Sequence, residues 1–148
     1  MSVAPANHAR VYLRRDGKRV VVVTVHQTKD GALLEAEGPL SLTTWDDEAL
    51  GESIQTALDH SAWVSRGADL PKSPGAATLK VSGEPSPRAF DAAFIAIQVS
   101  GLPDSGYVVQ GTPDKDLALT GRLSGQAPSS DFARQVTRIF QICRDRKF

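Results

Sequence analysis

Two stretches of this chain read as amphipathic helices, and each closes a run of three extended segments. In Ser41–Ser61, SLTTWDDEALGESIQTALDHS, the residues Leu50, Ile54, Ala57, Leu58 and Ser61 recur at helical spacing. Asp47, Glu48, Glu52, Gln55 and Asp59 fall on the opposite side. A helix that is apolar on one side only must lay that side on another layer. Thr44 is placed to cap this helix, with Asp47 as the acidic half of a capping box. Asp46, Asp47 and Glu48 fall in the first turn, where the helix dipole favours negative charge. Gly51 costs about 1 kcal/mol against alanine inside a helix. Its presence there predicts that another backbone comes close. The second helix is expected from Asp131 to about Arg146, capped by Ser129-Ser130-Asp131. Phe132, Val136, Ile139, Phe140 and Cys143 form its apolar stripe, and Arg144, Arg146 and Lys147 crowd its end.

The extended segments supply the surface that such helices need. Ala9–Arg15 alternates, with Val11 and Leu13 on one side and Tyr12 and Arg14 on the other. Asp16-Gly17 is a hairpin signal. Lys18–Gln27, KRVVVVTVHQ, is apolar on both faces, so Arg19–His26 is expected as a central strand covered on both sides. Ala32–Leu42 is a third strand, broken at Gly38-Pro39. The same order returns later, with strands at Ala93–Ser100, Tyr107–Thr112 and Leu117–Leu123 before the last helix. The two halves share pattern and not sequence. An α+β fold follows, with antiparallel sheet built from two strand-strand-strand-helix halves and the helices packed on it.

At 148 residues the chain is expected to be a single domain, 1–148. Residues 1–8 read as a disordered lead-in and 62–88 as an irregular connecting loop. Within that loop Ala76–Val81 is a candidate short strand. Ser86–Asp91 is a helical turn with proline at its first position. The chain carries 17 basic and 17 acidic residues, so no basic excess points to nucleic acid. Cys143 is the sole cysteine, which excludes a disulfide-stapled scaffold. Met1–Arg10 has no apolar core of a signal peptide, and Val20–Val25 is too short to span a membrane. A cytoplasmic protein without membrane contact is the expectation.

Chemistry is harder to find. His8, His26 and His60 lack metal-ligand spacing and read as scattered, solvated histidines. Cys143 reads as a buried small hydrophobe, since it lies at the helix end where the dipole does not activate a thiol. No phosphate-binding loop and no nucleophile elbow is present. No cofactor, metal ligand set or catalytic group is assigned. The acidic residues Asp46, Asp47, Glu48, Glu52 and Asp59 are a solvated helix face by default. The functional alternative is a docking surface for a basic partner, and a metal or acid/base site is the weakest of the three. Trp63, just past the helix, either plugs the core or anchors a partner.

Several of these pieces resemble the immunity proteins of bacterial contact-dependent growth inhibition systems, the CdiI-like family. The matching residues are the hairpin VYLRRDGKRVVVVTV, the helix start DDEALGESIQTAL, the segment SPRAFDAAFIAIQVSG and the strand YVVQGTPD. They span most of residues 11–113. The segment between Trp63 and Pro85 departs from the family pattern, and FARQVTRIFQICRD lacks the Leu-Gly signature of the first helix. The resemblance implies a non-enzymatic protein that binds the C-terminal toxin domain of a CdiA effector, commonly a nuclease. The alternatives from other classes are a small enzyme whose site assembles in tertiary structure and a generic cytoplasmic adaptor. If the toxin surface is basic, the partner-binding residues are expected to be Asp46, Asp47, Glu48, Glu52 and Asp59. The loop residues Trp63, Arg66 and Asp69 flank them.

Overall fold

The computed structural model describes residues 7–28, 33–36, 39–61, 63–64, 76–102, 106–114, 117–124 and 126–145. The chain runs β1 (Asn7–Arg14), β2 (Val20–Thr28), β3 (Leu33–Glu35), β4 (Leu40–Leu42), α1 (Asp47–Asp59) and β5 (Trp63–Val64). It continues with α2 (Ala76–Ser82), α3 (Pro87–Ala93), β6 (Phe94–Leu102), β7 (Gly106–Asp114), β8 (Leu117–Leu123) and α4 (Ser129–Asp145). The strands form one sheet in the order β3-β2-β1-β6-β7-β8, with β4 and β5 also paired to β2. Every pairing is antiparallel except β2 with β5. The α+β architecture read from the sequence is the observed one.

The two halves meet in the middle of the sheet, where β1 runs antiparallel to β6 with Val11 opposite Ile97. Each half spreads its strands outward, and its helix returns over the same face. There α1 packs on β1 and β2, α4 on β6, β7 and β8, and the two helices against each other. Alternation along the strands sends Ala9, Val11, Leu13, Val20, Val22, Ile97 and Val99 into this face. Leu50, Ile54 and Leu58 of α1 and Phe132, Val136 and Ile139 of α4 close over them. Burying each such side chain contributes about 1.5–3 kcal/mol. The Tyr107 ring meets Phe132 edge-on at 4.9 Å.

The opposite face has a smaller cover. Ser86 caps α3 by accepting from the Ala89 amide at 3.1 Å, and Pro87 follows at the first helical position. This turn presents Phe90, which packs with Tyr12, Val21 and Phe94. Tyr12 lies 4.9 Å from Phe90, and Phe90 lies 4.8 Å from Phe94. On β6 to β8 the same face leaves Ala96, Gln110, Thr120 and Arg122 exposed.

Several sequence expectations need correction. β2 is covered on both faces as expected, but it is not the central strand. Its two-sided burial comes from helices above and below it, while β1 and β6 hold the centre. Asp46, not Thr44, caps α1, accepting from the Ala49 amide at 2.7 Å. Trp45 is partly buried against the core, so the chain is still turning there and the helix begins later. The lead-in reading of residues 1–8 fails at its end, because β1 starts at Asn7 and His8 is buried. Residues 62–88 are not uniformly irregular, since they contain β5, α2 and the start of α3. The expected strand Ala76–Val81 is helix α2, in which Thr78 and Ser82, one helical turn apart, face inward. The expected third strand is two short strands, β3 and β4, and both pair with β2; Gly38 lies outside the described residues.

Cys143 lies buried on the inner stripe of α4. A thiol reagent is therefore expected to label it at least ~100-fold more slowly in the native protein than in denaturant, since reaction requires opening of the helix. Equal rates under the two conditions would place the sulfur at the surface.

Candidate functional site

The acidic residues of α1 do not form one patch. Asp46 is engaged as the N-cap, and Asp47 lies 3.8 Å from Nε of Arg134 on α4. Arg134 in turn reaches Asp131 at 3.0 Å. These residues border a shallow cleft between the two helix starts, with Ser129 and Ser130 on its far side. Asp59 sits at the other end of the helix, about 18 Å away along the axis at 1.5 Å per residue. Its Oδ1 accepts from Gln55 Nε2 at 2.9 Å. Glu48 and Glu52 are exposed, and no ion pair engages either of them among the described residues. Trp63 lies in β5, where its backbone pairs with Gln27. Arg66 and Asp69 fall outside the described residues.

A groove of about 740 Å³ opens on the β2 side of α1. Its origin is in the sequence of the helix. Ala49, Ser53 and Ala57 follow one another at four-residue spacing and line the groove, so no large side chain fills it. Val22, Thr24 and His26 of β2 form its floor, and Ala36 and Leu40 form the far lip. Glu52, Thr56 and His60 stand along the helical wall. The Thr24 hydroxyl donates to the Ala57 carbonyl at 3.0 Å, which ties floor to wall. The Nδ1 of His60 lies 2.8 Å from the Thr56 carbonyl oxygen. Burial lowers the pKa of His26 below the usual imidazole value, so its neutral ring faces the groove at neutral pH.

The sequence reading missed a polar network on the other face of the sheet. His8 is not solvated. Its Nε2 lies 2.8 Å from Gln27 Oε1, its Nδ1 lies 2.8 Å from Ser100 Oγ, and its amide donates to Ser61 Oγ at 3.0 Å. The Ser61 hydroxyl donates in turn to the Val25 carbonyl at 2.5 Å. Beside this lies Glu35, 6% exposed. It accepts from Arg10 Nη1 at 2.7 Å, from Thr78 Oγ1 at 2.8 Å and from the Tyr12 hydroxyl. Burial, and then the Glu35 carboxylate, hold the Tyr12 proton on well above the usual phenol pKa. Among the described residues no buried side-chain polar atom lacks a partner. The network therefore fastens β1, β3, β6 and α2 together and leaves no unpaired polar atom to aim at a ligand. One signal was available, since positions 8, 10 and 12 of β1 are polar while 9, 11 and 13 are apolar.

Among the described residues no three His, Cys, Asp or Glu gather where they could hold a metal ion. No described helix is long and apolar enough to cross a membrane.

Comparison with known proteins follows from the fold. No family model matches the sequence, and no curated protein matches it. Solved structures do. One is a chain of the CdiA-CT/CdiI toxin and immunity complex from Yersinia pseudotuberculosis. It superposes with a TM-score of 0.71 at 11% identity, over 97% of this chain and 99% of that one. Another is a protein of unknown function from Neisseria meningitidis, with a TM-score of 0.69 at 13% identity and the same coverage. The likeness is one of fold, and it runs over essentially the whole length of the chain.

Proposed function

We propose that this protein is an immunity protein, which binds and neutralises the C-terminal toxin domain of a contact-dependent growth inhibition effector without catalysis of its own. The observation that carries this reading is the whole-length likeness to a chain from a toxin and immunity complex. The sequence resemblance points the same way. The toxin is read as a nuclease of the CdiA type, met in the cytoplasm of the receiving cell. A domain that acts on phosphates needs a basic surface, and the exposed carboxylates Glu48, Glu52 and Asp59 on α1 suit such a partner.

The test is co-expression with the cognate C-terminal toxin domain. Growth is expected to be restored, and the two proteins to co-purify. In vitro, inhibition should be complete at one equivalent of this protein per toxin. Rescue well below one equivalent would indicate turnover and sink the non-enzymatic reading. No rescue and no complex would sink the immunity reading itself.

A further inference from the structure

The two edges of the sheet are built differently. Beyond β2 the chain offers only pieces of two or three residues, β3, β4 and β5. Short pieces blunt an edge against pairing with another chain. The other edge is β8, seven residues long, LALTGRL, with no proline and no acidic residue. Among the described residues it pairs with β7 alone. Its outer backbone N–H and C=O groups therefore have no strand partner there, which makes β8 a template for a further strand.

A second observation lies above the same edge. Gly121 of β8 sits beneath α4, where a Cβ would come within 2.6 Å of Gln135 Oε1 and 3.3 Å of Arg138 Nη2. Gln135 and Arg138 therefore mark the side of α4 that overhangs β8. Ile142 is four residues after Arg138 and seven after Gln135, so it falls on that side. It is 37% exposed, outside the stripe that buries Phe132, Val136 and Ile139. The Arg138 guanidinium is folded back on Gln135 Oε1 at 2.9 Å, over its own strand.

We infer that β8 pairs with β8 of a second copy of this chain, antiparallel about a two-fold axis through Thr120. The occupant is a second copy because the strand is complementary to itself. An axis at Thr120 is the one that pairs all seven residues. It sets Thr120 opposite Thr120, a favourable β-branched pair. Arg122 then lies opposite Ala118, so cation does not face cation, and positions 117 and 123, both leucine, face each other. In this register like faces of the sheet adjoin. The two α4 helices stand on one side of the joined sheet, and both Ile142 side chains border the seam. The axis uses both β8 edges and the opposite edges are blunted, so growth stops at two copies. α1 and β2 lie in the other half of the sheet, and pairing leaves them uncovered. One strand and one helix side make a small interface, which gives a dissociation constant of ~10–100 µM.

Sedimentation equilibrium of the whole chain tests this. The parent is expected to pass from one chain mass to two between ~1 and ~500 µM. Thr120→Arg sets cation against cation at the axis, and Ile142→Glu puts a charge at the seam from an exposed position. Each is expected to raise the dissociation constant by ~10-fold or more with an unchanged melting transition. The two lie on different elements, so a folding failure in one leaves the other as the test. Cross-linking reads the register. Directly opposite residues hold their Cα atoms about 4.5–5.5 Å apart, within disulfide reach. Thr120→Cys should therefore link two copies under a mild oxidant. Arg122→Cys should not, since four residues of strand put it ~13 Å from its equivalent. The parent should not either, because its Cys143 is buried. A parent that stays a single chain at every concentration overturns the inference. So does a dimer that the folded variants leave unchanged, which would place the contact elsewhere. Linking through position 122 and not through 120 overturns the stated pairing.

Discussion

Replacing Gly51 by alanine is expected to lower stability by about 3 kcal/mol or more, although alanine is the better helix former by about 1 kcal/mol. The reason is the packing of α1 on the start of α4. A Cβ at Gly51 would lie 2.5 Å from the Ser129 carbonyl carbon and 2.8 Å from the Ser130 nitrogen. Its obstacle is backbone, which cannot rotate away as a side chain can. The two helices would have to separate, and they cover one continuous core that joins both halves of the sheet. Gly51→Leu should accordingly yield no folded protein. Urea unfolding of Gly51→Ala beside Glu52→Ala decides the matter. The exposed Glu52 should move by less than about 0.5 kcal/mol. A Gly51→Ala protein as stable as the parent would show that the helix starts are further apart than described.

That contact was partly legible. A glycine inside an otherwise regular amphipathic helix signals close approach, but nothing local names the approaching residues, which lie far along the chain in Ser129 and Ser130. The long helices and most strands were readable because their apolar residues repeat with a single period, as in Leu50, Ile54 and Leu58 or Val11 and Leu13. α2 was not readable. Its segment AATLKVS alternates apolar Ala77, Leu79 and Val81 with polar Thr78, Lys80 and Ser82, which is the period of a strand, and the residues it buries are Thr78 and Ser82, whose hydroxyls count as polar in any pattern. His8 was missed for a similar reason. It looks like part of a floppy terminus until β6 brings Ser100, and β2 brings Gln27, against its ring.

The candidate site shows the same division. The carboxylates of α1 were visible as residue types, yet the helix axis distributes them over both ends, and α4 supplies an arginine to one end only. The small residues Ala49, Ser53 and Ala57 were equally visible, but a groove needs a second wall. That wall is made by β2 and by the residues around β3 and β4, whose position depends on strand register. Register across a sheet is a tertiary property, fixed by which faces can be buried together and not by any one stretch.

The other large effect is expected where the polar network carries its charge. Arg10→Met should destabilise the protein by about 3 kcal/mol, because it leaves a buried carboxylate without its cation. The Arg10 and Glu35 side chains are 26% and 7% exposed, so the carboxylate cannot recover its hydration in place. Glu35→Gln in the same protein removes the stranded charge and should restore part of the loss. A double-mutant cycle is expected to show coupling of about 1–3 kcal/mol between the two positions. Additive effects would mean that Arg10 contributes only by packing. Tyr12 gives the network a signature in alkali. In the unfolded chain its phenol titrates near the ordinary value of 10.0, whereas in the native protein burial and Glu35 hold the proton to higher pH. Above pH 10 the unfolded state thus binds fewer protons than the native state, and stability must fall as pH rises. The fall approaches about 1.4 kcal/mol per pH unit until the native phenol itself ionises. Urea unfolding from pH 9 to 11 should show this extra slope in the parent and lack it in Tyr12→Phe. Equal slopes in the two proteins would mean that Tyr12 does not donate to Glu35 in solution. The Tyr12 hydrogen bond would then have to be replaced by a different set of partners for the buried carboxylate.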